Sequence, residues 1–389
     1  MLGKVAVFLV MPLLAFAQND LAQAALDAGR LTEARQMLES RRDAAANALL
    51  ARVYLQLKLP QPAQLAARQA ELTGAGMPIV QHRLALYYAQ SGQRQLAAQW
   101  EGRYAQSPQS DPAAPLRAAL LHAELQQWPQ ASRLGQVALA RQDRPEVRRL
   151  LSRAAEAVGD AAEAIAQQRA LVVQLPYDEA AHAELGQLML RLGKFTGAAT
   201  FLEQAQRNFD KSAAIELALG VAYYSQRRFV DAGARFLRVI QLDPVMPQPY
   251  IFLAKMIDQL PNQVLEIRAR AEAWHQQELD NGFAPYVYAR ALQAAGAPDS
   301  ETKPLLLEAI RRDPRIWEFS FELGQLLERE RAFPEAALAY EASAAINSKI
   351  PEIHYRLARV YDRLGNSSKA QQERARHKQL LGTPKAGMQ

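Results

Sequence analysis

Apolar residues recur along most of this chain at the i, i+3, i+4 spacing of an amphipathic helix, in blocks broken by short polar or glycine-containing turns. The blocks are not independent of one another. Residues 179–212 read EAAHAELGQLMLRLGKFTGAATFLEQAQRNFDKS, and residues 213–246 read AAIELALGVAYYSQRRFVDAGARFLRVIQLDPVM. Laid over one another at an offset of 34, Leu185-Gly186 falls on Leu219-Gly220, Phe195 on Phe229, and Ala198 on Ala232. A fixed period of this length is the signature of a stacked-repeat architecture.

The register extends both ways, with starts at 44, 78, 112, 145, 179, 213, 247, 283, 317 and 351 and a truncated repeat at about 20–43. Frame position 20 is Ala34, Ala63, Ala97, Ala131, Ala164, Ala198, Ala232, Ala336 and Ala370. Position 8 is small, for example Ala51, Ser152, Gly186, Gly220, Gly324 and Ala358, and position 7 is repeatedly Leu. Each repeat therefore predicts a helix A, a short turn and an antiparallel helix B. Positions 8 and 20 mark the crossing where only Gly, Ala or Ser lets two backbones approach. Gly92, Gly159, Gly193 and Gly365 stand where helix A must end. Pro176, Pro244 and Pro314 follow helix B, which proline cannot continue. A lone hairpin cannot bury its apolar face, so stacking is obligatory.

In these residues the chain resembles the tetratricopeptide repeat family over about 20–384. The resemblance implies an all-α fold, a right-handed α-solenoid of antiparallel hairpins, whose A helices line a concave protein-binding groove. Pentatricopeptide arrays, which read RNA, have a similar hairpin. The 34-residue period and the Leu-(Gly/Ala)-x-x-Tyr core favour the tetratricopeptide reading. The expected organisation is a leader at 1–17, repeats over 18–246, degenerate hairpins over 247–316, two further repeats over 317–384 and a disordered tail at 385–389. In the degenerate stretch Pro261 replaces the turn glycine, Glu266 falls at position 20, and Arg290 falls at position 8.

Composition narrows the function. Ala, Leu, Gln, Arg and Glu dominate, the strong helix formers. The net charge is +6 with both signs interspersed, unlike the basic stripe of a nucleic-acid binder. There is no cysteine, which excludes disulfides, thiol nucleophiles and Cys-ligated metals. The six histidines show no metal-ligand spacing, and there is no P-loop, GxGxxG or GxSxG. His182 and His354 stand at position 4, a packing position. No catalytic residue, metal or cofactor is implied.

The surface left to act is the groove. The resemblance places Arg149, Arg153, Gln187, Arg191, Tyr224, Lys255 and Gln259 on it, a mixed, mildly basic set suited to an extended peptide or helix. The Lys and Asn clamp with which some family members grip a C-terminal carboxylate is replaced here by His82 and Leu86, Arg149 and Arg153, or Ala183 and Gln187. The expected function is an exported scaffold that binds a protein in the bacterial cell envelope. The alternative is an accessory module for envelope polysaccharide or peptidoglycan assembly, with Tyr224 and Tyr355 as its aromatic platforms.

Export is read from the first residues. Lys4 precedes an apolar run from Val5 to Leu14, and Ala15-Phe16-Ala17 has the small-x-small pattern of a signal-peptidase site. The run is shorter than the ~20 residues of a spanning helix. Cleavage after Ala17 is expected to leave Gln18 first, and N-terminal sequencing of envelope-fraction protein measures it. A full-length chain retained in the cytoplasm overturns the expectation.

Overall fold

In the computed structural model, residues 19–382 are described, and those residues contain helices and turns but no strand. The leader, its cleavage site and the expected tail lie outside them. The chain divides into two compact units, Met1–Pro176 and Tyr177–Gln389.

The first unit pairs its helices as α1 (19–27) with α2 (Leu31–Glu39), α3 (Ala44–Gln56) with α4 (Pro60–Gly74), and α5 (Pro78–Gln90) with α6 (Arg94–Ala105). Then come α7 (Ala114–Glu124) with α8 (Trp128–Arg141), and α9 (Pro145–Ala157) with α10 (Ala161–Gln174). The second unit begins with α11 (Glu179–Arg191) and α12 (Phe195–Asn208), then α13 (Ala213–Ser225) and α14 (Phe229–Leu242). Next are α15 (Pro247–Met256), prolonged by a 3-10 turn at Ile257–Gln259, and α16 (Val264–Gln277). The last three hairpins are α17 (Phe283–Ala294) with α18 (Asp299–Arg312), α19 (Trp317–Arg329) with α20 (Phe333–Ile346), and α21 (Pro351–Arg363) with α22 (Ser367–Gly382). Within each unit a B helix packs on its own A helix and on the A helix that follows. Each unit is thus an α-solenoid of antiparallel hairpins, the expected fold class.

Local sequence explains the ends of these helices. Asp43, Asp178 and Ser212 each accept a hydrogen bond from the main-chain N–H three residues on, at Ala46, Ala181 and Ile215. Such caps satisfy donors that a helix start leaves orphaned. The A–B turns, apart from that between α15 and α16, use one left-handed residue. It is the expected glycine at Gly92, Gly159, Gly193 and Gly365. It is also Lys58, Gln126, Arg227 and Arg331, where φ lies between 56° and 61° and no glycine announces the turn. A left-handed L-residue costs roughly 1–2 kcal/mol, which the packed hairpin outweighs at those four turns.

The nine frame alanines are all fully closed to solvent. In the 145 repeat, the Ser152 hydroxyl at position 8 donates to the Ala164 carbonyl at position 20 over 2.9 Å. What lies against position 8 from the side is the residue at position 24. A Cβ on Gly220 would stand 2.7 Å from the Phe236 ring, and one on Gly324 would stand 2.6 Å from Tyr340; Gly186 meets Leu202 in the same way. Where position 24 is small, as at Ala67 and Gly135, position 8 carries a Cβ, as at Ala51 and Ala119.

Two register expectations are corrected in the degenerate stretch. The proline ring at Pro261 cannot take the left-handed φ used at the other turns, and the A–B connection is longer by one residue. Glu266 is therefore exposed and Ile267 takes the buried place. The sizes rearrange around it: Ile267 stands where alanine does elsewhere, followed by Ala271 and Trp274, all nearly closed to solvent. In α17 the left-handed turn residue is Gly296, which sets that repeat back by one. Ala289, fully buried, holds position 8, and Arg290 moves to position 9 on the groove side.

Ala198→Leu is expected to overpack the crossing of α11 and α12 and to cost about 1–3 kcal/mol. Gln206 is no neutral control, since its amide donates to the buried Glu216; the exposed Gln204 is one. Thermal melts of Ala198→Leu and Gln204→Leu make the comparison, and equal melts would show the crossing to be misplaced.

Candidate functional site

The A helices expose one stripe and bury the rest. In the first unit the stripe on α9 carries Arg149, half-buried, and Arg153, exposed. Arg52, which the frame also places on this face, is buried. In the second unit Gln187 and Arg191 on α11, Lys255 on α15 and Gln259 on the 3-10 turn are all exposed. Tyr224 on α13 is half-buried, packed edge-on against Phe229 and Phe252 with centroids 5.8 and 5.1 Å away. Phe252 in turn stacks on Phe236. Tyr224 thus belongs as much to the core as to the groove.

From α15 onward the face is ionic and internally matched. Arg290 donates to Asp258 at 2.9 Å on the preceding repeat and to Glu322 at 3.1 Å on the following one. Burial works against the charge of this guanidinium, but the carboxylates of Glu322 and Asp258, with Tyr286, outweigh it and hold its pKa above the ordinary value. Arg329 grips Asp299 with Nε and Nη2, the shorter contact being 2.8 Å. Glu328 is not a free surface acid. It takes the Tyr340 hydroxyl at 3.1 Å and faces Arg359 and Arg356 at 3.4 and 3.5 Å. A mostly polar pocket of about 290 Å³ opens among Asp258, Arg290, Gln293, Asp299 and Arg329, with Ala294 and Ala297 beside them.

Arg290 and Gln293 were absent from the groove predicted by the sequence. The frame start at 283 put Arg290 in the core. Counting back from Gly296, the turn glycine of that repeat, recovers both residues.

The histidines are structural. His182 is buried between Phe201 and Phe209. His354 is held by Glu373 at 2.6 Å and by the Ser348 carbonyl at 3.0 Å. Trp100 and Trp274 are buried. Among the described residues no group of three His, Asp or Glu side chains could hold a metal, and no helix is long and apolar enough to cross a membrane.

A face of exposed polar side chains on a hairpin solenoid defines a class of protein, the helical-repeat scaffold. Residues 183–247 and 303–351 match the sequence profile of the tetratricopeptide repeat family. No curated protein sequence matches the chain. Among solved structures, the complex of Naa15/Naa10 bound to HypK-THB has a chain that superposes with a TM-score of 0.54 at 12% identity, covering 96% of this chain and 68% of that one. Yeast Tom70 gives 0.46 at 13% identity over 95% and 92%. A repeat protein from Cytophaga hutchinsonii gives 0.46 at 17% over 71% and 99%.

Removing Arg290 leaves Glu322, 6% exposed, without its cation. Arg290→Ala is expected to cost about 3–5 kcal/mol, the usual penalty for breaking a buried pair on one side. Arg153→Ala, on an exposed stripe, is expected to stay within about 0.5 kcal/mol of wild type. Denaturant unfolding of the two variants measures the difference.

Proposed function

We propose that this protein is an exported scaffold of the bacterial cell envelope that holds a segment of a partner protein along its A-helix faces. The observation that carries the reading is the exposed polar side chains of the A helices in each unit: Arg153 in the first, and Gln187, Arg191, Lys255 and Gln259 in the second, sit outward on helices whose other faces are buried. Side chains of this kind give directional contacts to an extended or helical segment laid in a groove. Arginine adds bidentate recognition of carboxylates. The envelope location rests on Lys4, the apolar run and Ala15-Phe16-Ala17. A polymer-binding role needs open aromatic platforms. Tyr224 is engaged with Phe252, which leaves Tyr355, 43% exposed, and so the protein-binding reading is the better supported.

The test is affinity capture from envelope extract with wild type and with the triple variant Arg149→Ala, Arg153→Ala, Arg191→Ala. Arg149 and Arg191 have contacts of their own, so a thermal melt first establishes that the variant folds. Removing Arg133, Arg169 and Arg207, exposed on B helices, is the charge control. The groove variant is expected to lose partners that the control keeps, and wild-type capture is expected to weaken as salt rises. Identical capture by both variants moves the binding surface away from these A-helix residues.

A further inference from the structure

The chemistry of one part of the binding face can be read more narrowly, on the premise that the A-helix face binds a peptide segment. Gln293, on α17, has both atoms of its amide closed to solvent, and neither Nε2 nor Oε1 has a hydrogen-bond partner. A buried carboxamide can make several hydrogen bonds and here makes none, an arrangement that native proteins rarely leave without a reason. The same side chain lines the 290 Å³ pocket. For a ligand to reach it, the amide has to turn toward the space that the same residue lines.

The charges around that space cancel. Two guanidiniums, Arg290 and Arg329, face two carboxylates, Asp258 and Asp299, at 2.9 and 2.8 Å. An anionic or cationic ligand would have to displace one of these partners, whereas a neutral polar ligand displaces neither. Arg329 binds Asp299 through Nε and Nη2, which leaves Nη1 as a donor. Ala294 and Ala297 are too small to fill the cavity.

We propose that this pocket receives the carboxamide side chain of an asparagine or glutamine of the partner segment. The ligand amide pairs reciprocally with Gln293, one N–H···O bond each way, and its oxygen also accepts from Arg329. An aliphatic side chain would leave Gln293 unpaired, and a carboxylate would meet Asp258 and Asp299.

The experiment is selection of a displayed random dodecapeptide library on the immobilised full chain, with wild type, Gln293→Leu, Gln293→Glu and, as control, Gln204→Leu, exposed on a B helix. Gln293→Glu keeps the shape and removes the N–H donors, so a folding defect confined to the leucine variant does not blunt the test. Wild type and the Gln204 control are expected to enrich peptides with Asn or Gln at one fixed position. Both Gln293 variants are expected to lose that preference, with affinity for a selected peptide falling at least tenfold. Replacing the selected Asn or Gln by Ala is expected to cause a similar loss; undiminished binding would show that main-chain amides are the ligand and would overturn the proposal. Enriched peptides without such a position, with Asp or Glu fixed there, or with Asn or Gln retained by both Gln293 variants overturn the pocket and leave the groove reading intact. Failure of wild type to enrich any peptide overturns both.

Discussion

The structure depends on how closely the two helices of each hairpin can pass. The contact is made by backbone and Cβ atoms, so it tolerates only small residues at positions 8 and 20, and the bulk that fills the space around it must come from elsewhere. Position 24 supplies that bulk as Leu202, Phe236 and Tyr340, against Gly186, Gly220 and Gly324. Because these residues share one volume, they do not vary freely. A methyl group added on one side has to be removed on the other.

The same constraint explains the region that departs from the repeat. Around Ile267, Ala271 and Trp274 the large and small residues have exchanged places along the helix, and these three side chains are still nearly closed to solvent. The altered turns shift two helices by one residue. That shift carries Arg290 out of the expected core position and into the ionic ladder from Asp258 to Glu322. The irregular hairpins thus produce the ion-pair ladder on the second unit's A-helix face.

Charge on that face differs along its length. At Gln187 and Lys255 the polar groups are exposed. Beyond α15, Arg290, Arg329, Arg356 and Arg359 already face carboxylates. Partly exposed ion pairs of this kind contribute modestly to stability. Their greater effect is to fix long side chains in place, which lowers the entropy lost when a ligand binds.

The repeat length, the hairpin fold, the crossing alanines and the four glycine turns were legible in the residues, because close backbone packing restricts a position to very few amino acids. Nine alanines in one register are nine readings of the same steric limit. The binding face was legible only in outline. Its residues are exposed and chemically permissive, so no periodic constraint reports how they pair. The left-handed turns at Lys58, Gln126, Arg227 and Arg331 were silent for a related reason: the packed helices on either side impose the strain, and the local sequence shows no glycine. The one-residue shift at Gly296 left a sequence mark, but its consequence, the meeting of Asp258, Arg290 and Glu322 from three successive repeats, arises from stacking. The sequence by itself determined which residues had to be small and therefore which fold forms. The tertiary structure decided which charges meet, because those partners lie 32 residues apart in the chain and are brought together only when one hairpin is laid on the next.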